Sequence, residues 1–135
     1  MEKKDPIDEA YRYVENAQKT LRDHGEYDAE LHRYSDRKYV RAAGHYLWHA
    51  VLMTLDAVFH VRKDRRTRVD IEAYRETVRK RDKKLLALVN DAYQILHLYM
   101  GYDGVLSKST CDDGFRIANA IIDRCTSLRK TEPHL

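Results

Sequence analysis

The chain has 135 residues, 43% of them hydrophobic and 35% charged, and its 25 Lys plus Arg against 22 Asp plus Glu leave a net charge of only +3. One domain of this length buries roughly two-thirds of its unfolded surface. No apolar run approaches the roughly 18 residues of a membrane span, and five Gly with two Pro exclude a turn-rich β sandwich. Met1-Glu2-Lys3-Lys4-Asp5 leads into polar sequence rather than a signal peptide. The expectation is a single all-α domain over residues 1–135.

The first helix is predicted over residues 6–24. Asp5 is its N-cap, Pro6 takes the first helical position, and Asp8 and Glu9 complement the partial positive charge of the N-terminus. Ile7, Ala10, Tyr11, Val14, Ala17 and Leu21 recur every three or four places, and Gly25 ends the run. Residues 26–34 have no clean period and read as a connection. Ser35 or Asp36 caps a second helix of about 36–61, apolar nearly all round from Tyr46 to Phe59. A helix apolar on most sides belongs at the centre, so the fold expected is an up-and-down bundle of four or five helices around helix 2.

Residues 63–69 form a charged connection, and Asp70 caps the next helix, with Ile71, Tyr74 and Val78 as a thin stripe. The charged run 79–84 interrupts the apolar content without breaking its phase, which resumes at Leu85, Leu88, Val89, Ala92, Ile95, Leu96 and Tyr99. Residues 70–100 are therefore one long helix or two in register, 70–81 and 82–100, Asp82 capping the second. Gly101-Tyr102-Asp103-Gly104 is strong turn punctuation. A last helix of about 110–129 carries the stripe Cys111, Phe115, Ala118, Ile121, Ile122, Cys125 and Leu128. Fourteen residues on one helix separate its two cysteines by about 21 Å, too far for a disulfide. Unpaired thiols suit a reducing compartment, so a cytoplasmic location is expected.

Four features could carry chemistry. Arg41, His45, His49, Asp56 and His60 fall along one side of helix 2. His45 and His49, one turn apart, have the spacing by which two imidazoles reach one metal ion, with Glu9, Glu15 or His97 as further ligands. The opposing expectation is the exposed edge of the helix. Residues 62–84 hold eleven basic residues against five acids, +6 within a chain of +3. Arg62, Arg65, Arg66, Arg68, Arg79 and Arg81 make this segment the candidate contact for nucleic acid or an acidic protein. Ten tyrosines to two phenylalanines fit a core whose ring tips reach the rim, and Tyr enrichment also fits a homo-oligomer, a dimer first. Finally, His97 and Asp103 could meet as a base and its orienter, although two glycines and a turn Asp need no such role. No nucleophile and no cofactor motif is evident.

Tyr39-Val40-Arg41-Ala42-Ala43-Gly44, Lys83-Lys84-Leu85-Leu86 and the residues from His97 to Gly104 resemble an uncharacterised Bacteroidetes family of short helical proteins, a domain of unknown function. That resemblance covers most of the chain and implies no activity. More remotely, Tyr39 and the helix 2 alanines are similar to the HEPN helical superfamily, which implies an RNA- or nucleotide-directed protein. Its catalytic Arg-then-His spacing is matched only by Arg129 and His134, with Pro133 between them, and composition alone supplies that many matches. The overall expectation is a small interaction module rather than an enzyme, needing no cofactor and binding a macromolecular partner through the basic segment and exposed tyrosines.

Overall fold

The computed structural model describes residues 5–64 and 66–131, which form an all-α bundle with one two-residue ladder. Helix α1 spans Pro6–His24, α2 Arg37–Phe59, α3 Ile71–Arg79, α4 Lys83–Ala92 and α5 Lys108–Lys130. Helix α4 runs directly into a π-helical segment, Tyr93–Tyr102. Side-chain pairs fix the directions. His24 stacks on Tyr39 while Tyr13 meets Tyr46, so α1 and α2 are antiparallel. Arg41 reaches Tyr102 and Trp48 reaches His97, so the π segment returns along α2. Arg124 binds Asp82 while Gly114 lies against Met100, so α5 reverses α4. The long rods alternate up-down-up-down, and short α3 folds back on α4, where Arg75 Nε donates to Asn90.

Local chemistry sets the boundaries. The carboxylates of Asp5, Asp36, Asp70 and Asp82 each accept an N–H from the first turn of the helix they precede, satisfying donors that would otherwise be orphaned. Between α3 and α4 the N–H groups of Arg81 and Asp82 both turn back to the Val78 carbonyl, and Asp82 then starts a new helix. Residues 26–34 are more ordered than a plain connection. Strands β1 (Tyr27–Asp28) and β2 (Arg33–Tyr34) pair antiparallel around a turn closed by Asp28, which accepts from Glu30 and Leu31 N–H. The hairpin also anchors α5, because Arg33 bridges Ser107 and Lys108 N–H donates to His32. This is why α5 starts at Lys108, before the expected Ser109 or Thr110. Helix α2 stops at Phe59, where His60 adopts a left-handed φ of 55°.

Helix α2 buries eleven of its 23 residues, more than any other element, and holds the centre. Its one buried polar group, Thr54, hands its hydroxyl to the Ala50 carbonyl at 2.8 Å. Tyr74 is fully buried, but Tyr11 and Tyr99, expected on the inward stripes, are 37% and 40% exposed. Tyr11 instead bonds Asp123 across the α1–α5 surface, and Tyr99 lies in the π segment, whose wider turn moves residues out of the 3.6-residue phase.

Both cysteines are free and fully buried, and burial pushes each thiol up to about 12. Folded protein should therefore resist a thiol reagent at pH 8 for hours, while denaturant exposes two reactive groups. Rapid labelling of the folded chain would contradict this placement.

The capping carboxylates give an acid signature. Burial raises the Asp82 carboxyl, but the Leu85 N–H and Arg124 outweigh it and hold the group below its ordinary 3.8. The Arg129 fork and the Ile7 N–H lower Asp5 in the same way. A folded value below the unfolded one gives stability that is complete above pH 3.8 and lost as pH falls through the lower folded value. Asp82→Asn should cost about 1 kcal/mol at pH 6 and progressively less as pH falls below 3.8, a narrowing read directly from denaturant melts of the two proteins.

Candidate functional site

The polar line on α2 is a largely exposed edge, as one expectation had it, with Arg41, His45, His49 and His60 exposed and Asp56 half-buried. All of these but Arg41 also line an open groove. With a volume of about 860 Å³, the groove lies between α1 and α2, and residues 62–64 complete its lining. Helix α1 contributes Pro6, Glu9 and Tyr13; α2 contributes Ala42, His45, Tyr46, His49, Met53, Asp56, Ala57 and His60. These α1 positions recur at three and four, which places them on one face, and the α2 series does the same over about 27 Å of helix. Tyr13 is the hinge of the two walls, its ring 6.1 Å from Tyr46 and 6.3 Å from His49. The volume is that of a small-molecule pocket.

Charge in the groove is unevenly satisfied. Asp56 is saturated: it accepts from the Arg62 backbone N–H (3.0 Å), Arg62 Nε (2.9 Å) and the Tyr74 hydroxyl (2.8 Å). Burial, and then this bond to Asp56, pushes the Tyr74 phenol up. Arg62 is only 13% exposed and belongs to this knot. Glu9 contrasts with it. Its Oε2 is buried and accepts no hydrogen bond among the described residues; Arg12 Nη1 stands at 3.5 Å, an ion-pair distance from a mostly exposed side chain.

Of the metal candidates, His45, His49 and His60 all line the groove, yet among the described residues no three His, Cys, Asp or Glu side chains gather tightly enough to hold an ion. His97 sits behind this wall, its ring tilted against Trp48 at 5.5 Å and Tyr93 at 5.3 Å. Its Nδ1 is buried without a hydrogen bond, and burial first, then the nearby His45, holds its imidazole below the ordinary value. No hydrogen bond joins it to Asp103 among the described residues. Gly101, expected in the turn, belongs to the π segment, and Gly104 with φ of 63° makes the turn instead.

The basic segment is partly spent internally. Arg79 makes two bonds to Glu76, Arg75 pairs with Glu72, and Arg81 lies over the Phe59 ring at 5.7 Å. Arg66, Arg68, Lys83 and Lys84 are exposed, and Arg65 lies outside the described residues. Arg41 is held by the Tyr102 carbonyl. Arg129 forks onto Asp5 at 3.0 Å, and His134 lies outside the described residues. Exposed Tyr11, Tyr27, Tyr99 and Tyr102 are spread over α1, the hairpin and the π segment. Glu9 was among the partners expected for the histidine line; what residue patterns missed was Tyr13, whose place on the same α1 face as Glu9 was the available signal.

Residues 5–127 match a family described as a domain of unknown function, DUF5618. The chain belongs to this family. Among solved structures it is similar to a protein of unknown function from Dyadobacter fermentans, with a TM-score of 0.81 and 38% identity over 90% of this chain and 94% of that one. No protein of curated function matches. Fold and family thus agree with the Bacteroidetes resemblance, and the groove is a feature that members of the DUF5618 family can be compared on.

Proposed function

We propose that this chain is a binding module whose site is the α1–α2 groove. One observation carries the reading. A hollow of about 860 Å³ gathers Tyr13, Tyr46, Met53 and three histidines beside a buried carboxylate oxygen that accepts no hydrogen bond among the described residues. Apolar walls with a few convergent polar groups are the usual make-up of a ligand site. Of the arginines expected to serve a macromolecular partner, Arg62 and Arg79 are already paired with acids, which supports this choice by contrast.

The test is a saturation-transfer screen of aromatic fragments against the wild type and Ala57→Trp, in which the indole fills the groove from a half-buried position. Hits that disappear in the variant support the reading. Hits that persist unchanged, or their complete absence, contradict it.

A second reading, an anionic macromolecule on the basic segment, rests on the exposed Arg66, Arg68, Lys83 and Lys84. It requires saturable, salt-dependent binding of mixed-sequence RNA or duplex DNA that Lys83→Ala with Lys84→Ala weakens.

A further inference from the structure

We infer that the groove takes an organic ammonium ion carried on an aromatic body, the ammonium at Glu9 and the body over Tyr13, Tyr46 and Met53. The inference rests on the groove being a binding site and adds the chemistry of its occupant. Three observations converge on a cation.

The first is the bare acceptor. A carboxylate is an acceptor-only group that seeks several donors. Glu9 Oε2 is buried and accepts no hydrogen bond among the described residues. The neighbouring Arg12 stands at 3.5 Å with a side chain 60% in solvent, so it offsets the charge without supplying the missing bond. The rest of the Glu9 side chain, 28% exposed, lines the groove. An ammonium there would give the carboxylate a charged donor, and such a charge-assisted bond is about twice as strong as a neutral one.

The second is the formal charge of the lining. Glu9, Asp56 and Asp64 face Arg62 and Lys63. Arg62 is committed to Asp56, and Asp64 accepts the N–H groups of Arg66 and Thr67. Lys63 is exposed. The carboxylate lacking a hydrogen bond is thus the one on α1, and an anionic ligand would have to approach it at a cost.

The third is the ring content. Glu9 and Tyr13 stand one turn apart on α1, about 6 Å along the axis, and Tyr13 is 6.1 Å from Tyr46. A positive charge held at Glu9 therefore lies beside aromatic faces, which attract cations through their quadrupoles. Met53, an adaptable thioether, lines the same hollow and suits an apolar body of irregular outline. A neutral aromatic would use the rings and leave Glu9 bare; an ammonium uses both.

Three probes of one shape separate these cases: 2-phenylethylammonium, 2-phenylethanol and 3-phenylpropionate, each titrated by NMR against the wild type and Glu9→Gln. Glu9→Gln removes the charge from a partly exposed helical position, and equal thermal melts check that it folds. The ammonium should bind the wild type at least about tenfold tighter than the alcohol, and the propionate weakest of all. Glu9→Gln should bring the ammonium down to the level of the alcohol and leave the alcohol unchanged. An ammonium that binds no tighter than the alcohol, or a preference that survives Glu9→Gln, overturns the inference. If aromatic fragments still bind in a manner blocked by Ala57→Trp, only the choice of occupant has failed; if no fragment binds, the groove reading has failed with it.

Discussion

Gly44→Ala should destabilise the protein by about 3 kcal/mol, the largest effect expected from adding a single methyl group. Position 44 is mid-helix in α2, where alanine is ordinarily the better residue. A Cβ there would stand 2.6 Å from the Gly101 nitrogen, 2.7 Å from Met100 Cβ and 3.0 Å from Gly101 Cα. The obstructing atoms are mostly backbone of the π segment, which cannot rotate away as a flexible side chain would. Relief requires separating α2 from the segment along the line where the Trp48, His97 and Tyr93 rings meet. Urea melts measure the loss, and a stability equal to or above the wild type would show that the two helices do not approach this closely.

Asp56→Ala should cost about 3 kcal/mol and loosen the segment after α2. The carboxylate is 19% exposed and Arg62 13%, so the pair is largely shielded from solvent. Removing it strands a buried Tyr74 hydroxyl, a guanidinium and the Arg62 N–H together. Asp56→Asn keeps an acceptor but loses the charge, and a loss of about half that size is expected. The two variants separate polar satisfaction from ion pairing. Faster proteolysis within residues 60–70 should accompany the alanine variant. Equal proteolysis and equal stability would mean the knot is incidental.

The bundle was legible because its signals are local. Asp5, Asp70 and Asp82 are capping residues that the chain displays openly, and the nearly all-round apolar content of Tyr46 to Phe59 places α2 at the centre on burial grounds alone. The hairpin at 27–34 escaped because two-residue strands carry no periodicity; what holds them is Asp28 in the turn and Ser107, which is distant in sequence. The π segment escaped for a different reason. It continues an apolar stripe whose 3.6-residue phase says nothing of a wider turn, and its tight fit depends on Gly44 from another helix. The polar line on α2 was visible as an exposed edge, yet nothing in it showed that most of it also borders a groove. That depends on Glu9 and Tyr13, two helical faces that only packing brings opposite. Likewise the +6 of residues 62–84 is real as a sum, but Arg62 is turned inward by Asp56, six residues earlier.

The account stands on the groove being where this chain binds, and selective methyl NMR tests that most directly. Methionine reports cleanly here: Met53 lines the groove, while Met100 is fully buried beneath α2 and α5. With methionine methyls labelled, the fragments found by the screen should shift the Met53 resonance progressively to saturation and leave Met100 in place. A Met53 signal that stays fixed while those same fragments bind would contradict the account and place binding elsewhere on the molecule.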